Sequence, residues 1–109
     1  MSQDLVKKKC VPCEAGGVKP MGKDEAEKYF PQVPGWTLNE DAKKIFRTYK
    51  FKNFMEAMDF VKKVADIAEI EGHHPDMHIH YNKVLLELST HAIGGLSEND
   101  FILAAKLSA

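Results

Sequence analysis

Histidines and carboxylates crowd into one stretch of this chain, residues 69–100, which reads EIEGHHPDMHIHYNKVLLELSTHAIGGLSEND. All five histidines fall within it: His73, His74, His78, His80 and His91. Imidazole changes its protonation state near neutral pH and is also a common metal ligand. Such a concentration therefore points to proton transfer, to metal binding or to a polar sheet surface. Glu69 precedes His73 by four residues, which places the two on one helix face and lets the carboxylate orient the ring. Pro75 biases His74 away from the helical region toward an extended backbone. The His73–His74 pair thus sits where a helix hands over to a strand. His91 reaches that junction only if the fold brings the last strand beside it. A metal site from His73, His74 and His91 would lack the HExxH spacing of zincins, and no metal is expected. Plainer roles also fit the single residues: His73 as a helix-end cap, His78 and His80 as a solvated strand face, Asp100 as a helix cap.

The elements that must position these residues can be read from period and punctuation. Residues 22–30 form a short helix with Ala26, Tyr29 and Phe30 on one face, ended by Pro31. Trp36 to Leu38 and Lys43 to Phe51 pair as a hairpin across a turn at Asn39-Glu40-Asp41; Ile45, Arg47, Tyr49 and Phe51 share one face. Residues 54–72 give the clearest helix. Asn53 is its N-cap and Glu56 completes a capping-box pair. Phe54, Ala57, Met58, Val61, Val64, Ala65 and Ala68 form its apolar stripe, and Gly72 is its stop signal. Met77 to Tyr81 and Val84 to Thr90 form a second hairpin, turning at Asn82-Lys83. Val84, Leu86, Leu88 and Thr90 share a face there. Ser97-Glu98-Asn99-Asp100 reads as a capping box before a closing helix over Phe101 to Leu107. The order is α-β-β-α-β-β-α, an α+β chain whose hairpins favour an antiparallel sheet with helices on one face.

The 109 residues suit one domain, and a hydrophobic share of 44% is that of a globular chain. Residues 1–20 read as an irregular leader and 21–109 as the domain. A net charge of −1 supplies no basic field for nucleic acid or anionic lipid. No apolar run approaches the roughly 20 residues of a membrane span. The charged N-terminus lacks the apolar segment of a secretory signal, so a cytoplasmic location is expected. Cys10 and Cys13 are too few for a disulfide scaffold, and no second CxxC completes a zinc site.

Taken together, the residues of the stretch resemble the signature of the pterin-4a-carbinolamine dehydratase family. That pattern runs acidic residue, three residues, His-His-Pro, five residues, aromatic, nine residues, His, eight residues, Asp. It is filled here by Glu69, His73-His74-Pro75, Tyr81, His91 and Asp100. The resemblance covers about residues 20–108. It implies a four-stranded antiparallel sheet with helices packed on one face, and a homodimer or homotetramer. The implied activity is dehydration of a 4a-hydroxytetrahydropterin to the quinonoid dihydropterin, recycling the cofactor of aromatic amino acid hydroxylases. On the same resemblance His73, His74 and His91 are the catalytic residues, with Glu69, Pro75 and Asp100 supporting them. Met77, His78, Tyr81, Ser89 and Thr90 are assigned to substrate contact. Many members carry Trp where this chain has Met77. The pterin is substrate, so no cofactor is expected. Animal members of the family also serve as a dimerisation cofactor for a homeodomain transcription factor. A non-catalytic binding module is therefore the competing class of function, and a pterin role in molybdopterin metabolism is a third reading.

Overall fold

Helix α2, Phe54–Glu71, forms where the sequence supplies both a start and a stop signal. In the computed structural model, which describes Leu5, residues 20–90 and residues 93–108, the Asn53 side chain accepts the Glu56 amide at 2.9 Å. Glu56 accepts from the Lys52 amide at 3.1 Å, so one amide of the first turn and one just before the cap are both satisfied. Gly72 ends the helix in the left-handed region, φ 69°, donating to Ala68 O at 2.9 Å. Ala57, Val64 and Ala68 are buried, and Phe60 and Ile67 also pack on the core. Phe54 is 44% exposed, although the period places it on the stripe. It is the first residue of the helix.

The other elements are α1, Lys23–Glu27, a 3₁₀ turn over Phe30–Gln32, β1, Thr37–Leu38, β2, Ile45–Lys50, β3, Asp76–His80, β4, Lys83–Leu88, and α3, Glu98–Ser108. The order α-β-β-α-β-β-α is therefore the observed one, with boundaries trimmed. Pro31 lies inside the 3₁₀ turn, where its missing N–H is not needed. The four strands form one antiparallel sheet in the order β1-β2-β4-β3. The second hairpin turns at Tyr81-Asn82, one residue before the expected Asn82-Lys83. Tyr81 takes the left-handed conformation at φ 54°, while Asn82 is held by Phe51: the Phe51 amide donates to Asn82 O at 2.8 Å, and Asn82 Nδ2 donates to Phe51 O at 2.9 Å.

Register decides which face is buried. Ile45 pairs with Leu88, Arg47 with Leu86 and Tyr49 with Val84. Val84, Leu86 and Leu88 are fully buried and join α2 and α3 residues in one cluster with Phe101 and Leu103. The opposite face carries Phe46, Thr48, Leu85, Glu87 and His78, none of them buried. Helices thus cover one face only. α3 starts at Glu98, immediately after Ser97, as a capping box requires. Tyr29 stacks on Phe101 with ring centroids 4.8 Å apart and donates to Glu98 at 3.4 Å, fastening the first turn of α3. Burial, with the Glu98 carboxylate beside it, pushes the Tyr29 phenol above its ordinary value.

Most of residues 1–20, including Cys10 and Cys13, lies outside the described residues, but Leu5 is buried and its amide donates to Gln32 Oε1 at 2.9 Å. Met21 donates to Leu96 O at 2.9 Å, and Pro20 lies so close to Gly95 that a Cβ there would meet Pro20 Cβ at 2.7 Å. Among the described residues no helix is long and apolar enough to cross a membrane.

Phe101→Ala is expected to lower the unfolding free energy by about 3–5 kcal/mol in urea titrations. Met55→Ala, at an exposed position of α2, should stay within about 0.5 kcal/mol. Similar losses at both positions would contradict the assigned core.

Candidate active site

Gly72 sets the geometry of the site. Its left-handed turn takes the chain off the helical period, so His73 no longer shares a face with Glu69. This corrects the expected pairing. Glu69 Oε2 lies 2.5 Å from His74 Nε2, and His73 Nε2 lies 2.6 Å from Asp100 Oδ1 instead. The i, i+4 argument fails here because it presumes that the helix continues through residue 73.

The two pairs sit in different surroundings. His73 is 12% exposed and Asp100 is fully buried, whereas His74 and Glu69 are 58% and 77% exposed. The sequence therefore yields adjacent imidazoles, each backed by a carboxylate, one held inside the fold and one at its surface. A carboxylate on one ring nitrogen fixes the ring's orientation and leaves the other nitrogen for chemistry. Among the described residues neither Nδ1 has a hydrogen-bond partner.

Asp100 does more than cap its helix. Its Oδ2 accepts the Ser97 amide at 3.0 Å, closing the capping box, and the Thr90 hydroxyl at 2.9 Å. Ser97 Oγ lies 2.7 Å from Thr90 Oγ1. Thr90 and Ser97 are themselves buried. A buried carboxylate needs such donors, since an unpaired charge away from water is costly. Thr90 is carried to this point just past β4, where its amide donates to Gly95 O at 2.7 Å. The polar links joining His73, Asp100, Thr90 and Ser97 were not legible beforehand. Beyond the supporting role that the family resemblance implied for Asp100 and the substrate contact it implied for Thr90, the signal was a polar Thr90 on the otherwise apolar face of Val84, Leu86 and Leu88.

The remaining site candidates are placed as follows. Pro75 is half-buried directly before β3. Met77 lies on the packed sheet face opposite Leu86. His78 lies on the open face, 3.0 Å from Glu87 Oε1, which also meets Lys44 Nζ at 3.8 Å. Ser89 is half-buried beside Thr90. Tyr81 is 67% exposed in the turn at the far end of β3, about 16 Å along the strand from Asp76 at roughly 3.3 Å per residue. His91 lies outside the described residues. The structure thus brings together Glu69, His73, His74, Thr90 and Asp100, and does not bring Tyr81 to them within one chain. Among the described residues no three His, Cys, Asp or Glu side chains converge as metal ligands would.

Residues 19–109 match the model of a protein family described as pterin 4 alpha carbinolamine dehydratase. A relative from Halorhodospira halophila is 50% identical over 105 residues, spanning 96% of this chain and 95% of its own. The mitochondrial pterin-4-alpha-carbinolamine dehydratase 2 of Arabidopsis thaliana is 50% identical over 108 residues, 96% of this chain and 58% of that protein. Among solved structures, a protein of Brucella melitensis described as a transcriptional coactivator/pterin dehydratase superposes with a TM-score of 0.77. It is 31% identical, and the match covers 83% of this chain and 96% of that one.

Asp100→Ala would strand the Thr90 hydroxyl and the Ser97 amide, and is expected to cost about 2–6 kcal/mol at about 1–3 kcal/mol per buried group. Glu69→Ala breaks only an exposed pair and should cost no more than about 1 kcal/mol. Thermal unfolding of both variants measures the contrast, and equal costs would show that Asp100 is not the buried anchor.

Proposed function

The chain belongs to the pterin 4 alpha carbinolamine dehydratase family and is a hydro-lyase of that class, and we propose that His73, His74 and His91 carry its proton transfers. A carbinolamine bears its hydroxyl on the carbon bonded to nitrogen. Dehydration breaks the C4a–O bond, removes the proton from N5 and forms the C4a=N5 double bond. The hydroxyl leaves as water once an acid protonates it, and a base collects the N5 proton. Imidazoles perform both transfers near neutral pH, with no need of a metal or a further cofactor. The observation that carries this reading is the pair of adjacent histidines, each with Nε2 held by its own carboxylate.

The differing exposures support a division of labour. His73, held by a buried carboxylate, has one fixed orientation. His74 lies in water's reach and exchanges protons with solvent between turnovers. Glu69 orients His74, Asp100 orients His73, and Pro75 biases His74 toward an extended backbone. Within this reading the substrate is a 4a-hydroxytetrahydropterin that supplies an aromatic amino acid hydroxylase. Residues 21–109 act as one domain, in a homo-oligomer and in the cytoplasm. The Brucella melitensis protein, described as coactivator as well as dehydratase, favours one second reading, a binding role separable from the chemistry.

Dehydration of enzymatically generated 4a-hydroxytetrahydropterin, followed by ultraviolet absorbance, tests the proposal. His73→Ala and His74→Ala should each lose about 10²–10⁴-fold in rate while remaining folded. The rate of the wild type should survive dialysis against a chelator. Folded wild type that gives no acceleration over the uncatalysed reaction would move the binding role first.

A further inference from the structure

The hydrogens around Asp100 can be counted, and the count has a direction. The Thr90 hydroxyl has one proton, and it is donated to Asp100 Oδ2 at 2.9 Å. In the 2.7 Å contact between Thr90 Oγ1 and Ser97 Oγ, Ser97 must therefore be the donor. The Ser97 amide fills the rest of Oδ2 at 3.0 Å. Asp100 Oδ1 is left for His73 Nε2 at 2.6 Å. The carboxylate stands in the first turn of α3, where the helix dipole favours negative charge. An ionised carboxylate only accepts, so Nε2 must carry the proton that joins the two. The chain of donation runs Ser97 to Thr90 to Asp100, with His73 donating from the other side.

We propose that Ser97 and Thr90 are positioning residues of the reaction: through Asp100 they fix His73 as the Nε2–H tautomer, so that Nδ1 is the atom it offers to the substrate. The catalytic meaning rests on the function proposed above, whereas the tautomer itself does not. Thr90 is buried and its hydroxyl is engaged on both sides, so it acts through Asp100 and not by touching the pterin. Without the Thr90 donor, Oδ2 keeps one partner, the carboxylate gains freedom to turn, and the ring loses its single orientation.

The test is ¹⁵N NMR of the histidine rings in the full chain, alongside the dehydration assay. The wild type is expected to show His73 protonated at Nε2 and bare at Nδ1. Thr90→Val should show a mixture of tautomers at His73, with kcat about tenfold lower, the equivalent of one net hydrogen bond, and KM little changed. Thr90→Ser, which keeps the hydroxyl, should recover the tautomer and most of the kcat lost in Thr90→Val. Ser97→Ala retains the amide donor and should shift both readouts the same way by less, which decides the matter if Thr90→Val does not fold. An Nδ1–H tautomer in the wild type overturns the proposal. So does a folded Thr90→Val or Ser97→Ala with an unchanged His73 spectrum and unchanged kcat. An Nε2–H ring that responds to these variants in a protein without dehydratase activity would leave the positioning intact and remove the proposed reaction.

Discussion

The buried carboxylate of Asp100 is the constraint around which the site is built. It is fully inaccessible and accepts from three groups on three segments: the ring of His73 after α2, the hydroxyl of Thr90 after β4, and the amide of Ser97 before α3. A charge in that place is tolerated only while every oxygen is satisfied. The segments are therefore not free to move apart singly. The hydrophobic cluster brings α2, α3 and the sheet together without much directional preference. The carboxylate adds direction, because its acceptor geometry admits one arrangement of the three donors.

Much of this architecture was legible in the sequence because the signals were local. Asn53, Glu56 and Gly72 bracket α2 where the capping rules place them, and the period-2 pattern of Val84, Leu86 and Leu88 identifies the central strand. What was not legible depended on a tertiary event or on a competition between neighbours. Glu69 and His73 are correctly spaced for a helix that has already ended. Asn82 is in the turn as expected, but its side chain is drawn to Phe51, and Tyr81, not Lys83, is the other turn residue and takes the left-handed conformation. Asp100 reads from its spacing only as a capping residue; the family resemblance implied a supporting role, but nothing local showed that its second oxygen meets His73, 27 positions away.

The family's sequence pattern gains a physical reading from this. Its acidic residue and its aspartate are not two independent helpers of one histidine. Each serves a different one: Glu69 holds His74 at the surface and Asp100 holds His73 inside. His-His-Pro keeps the two rings adjacent in the chain while the break at Gly72 lets them face different carboxylates. The two imidazoles thereby differ in surroundings, one 12% exposed on a buried carboxylate and the other 58% exposed on an exposed one.

Leu5 bears on how modular this domain is. The family match begins at residue 19, yet Leu5 contributes a side chain to the core and its amide depends on Gln32. A boundary drawn where the family model begins would cut through the packing, removing Leu5 from the core and leaving Gln32 Oε1 without its donor. Leu5 is thus part of the body's packing. A change at Gln32 or in the wall around Leu5 would be felt in a segment that the family pattern does not include. Grafting this domain onto another chain would succeed or fail on that segment as much as on the histidines.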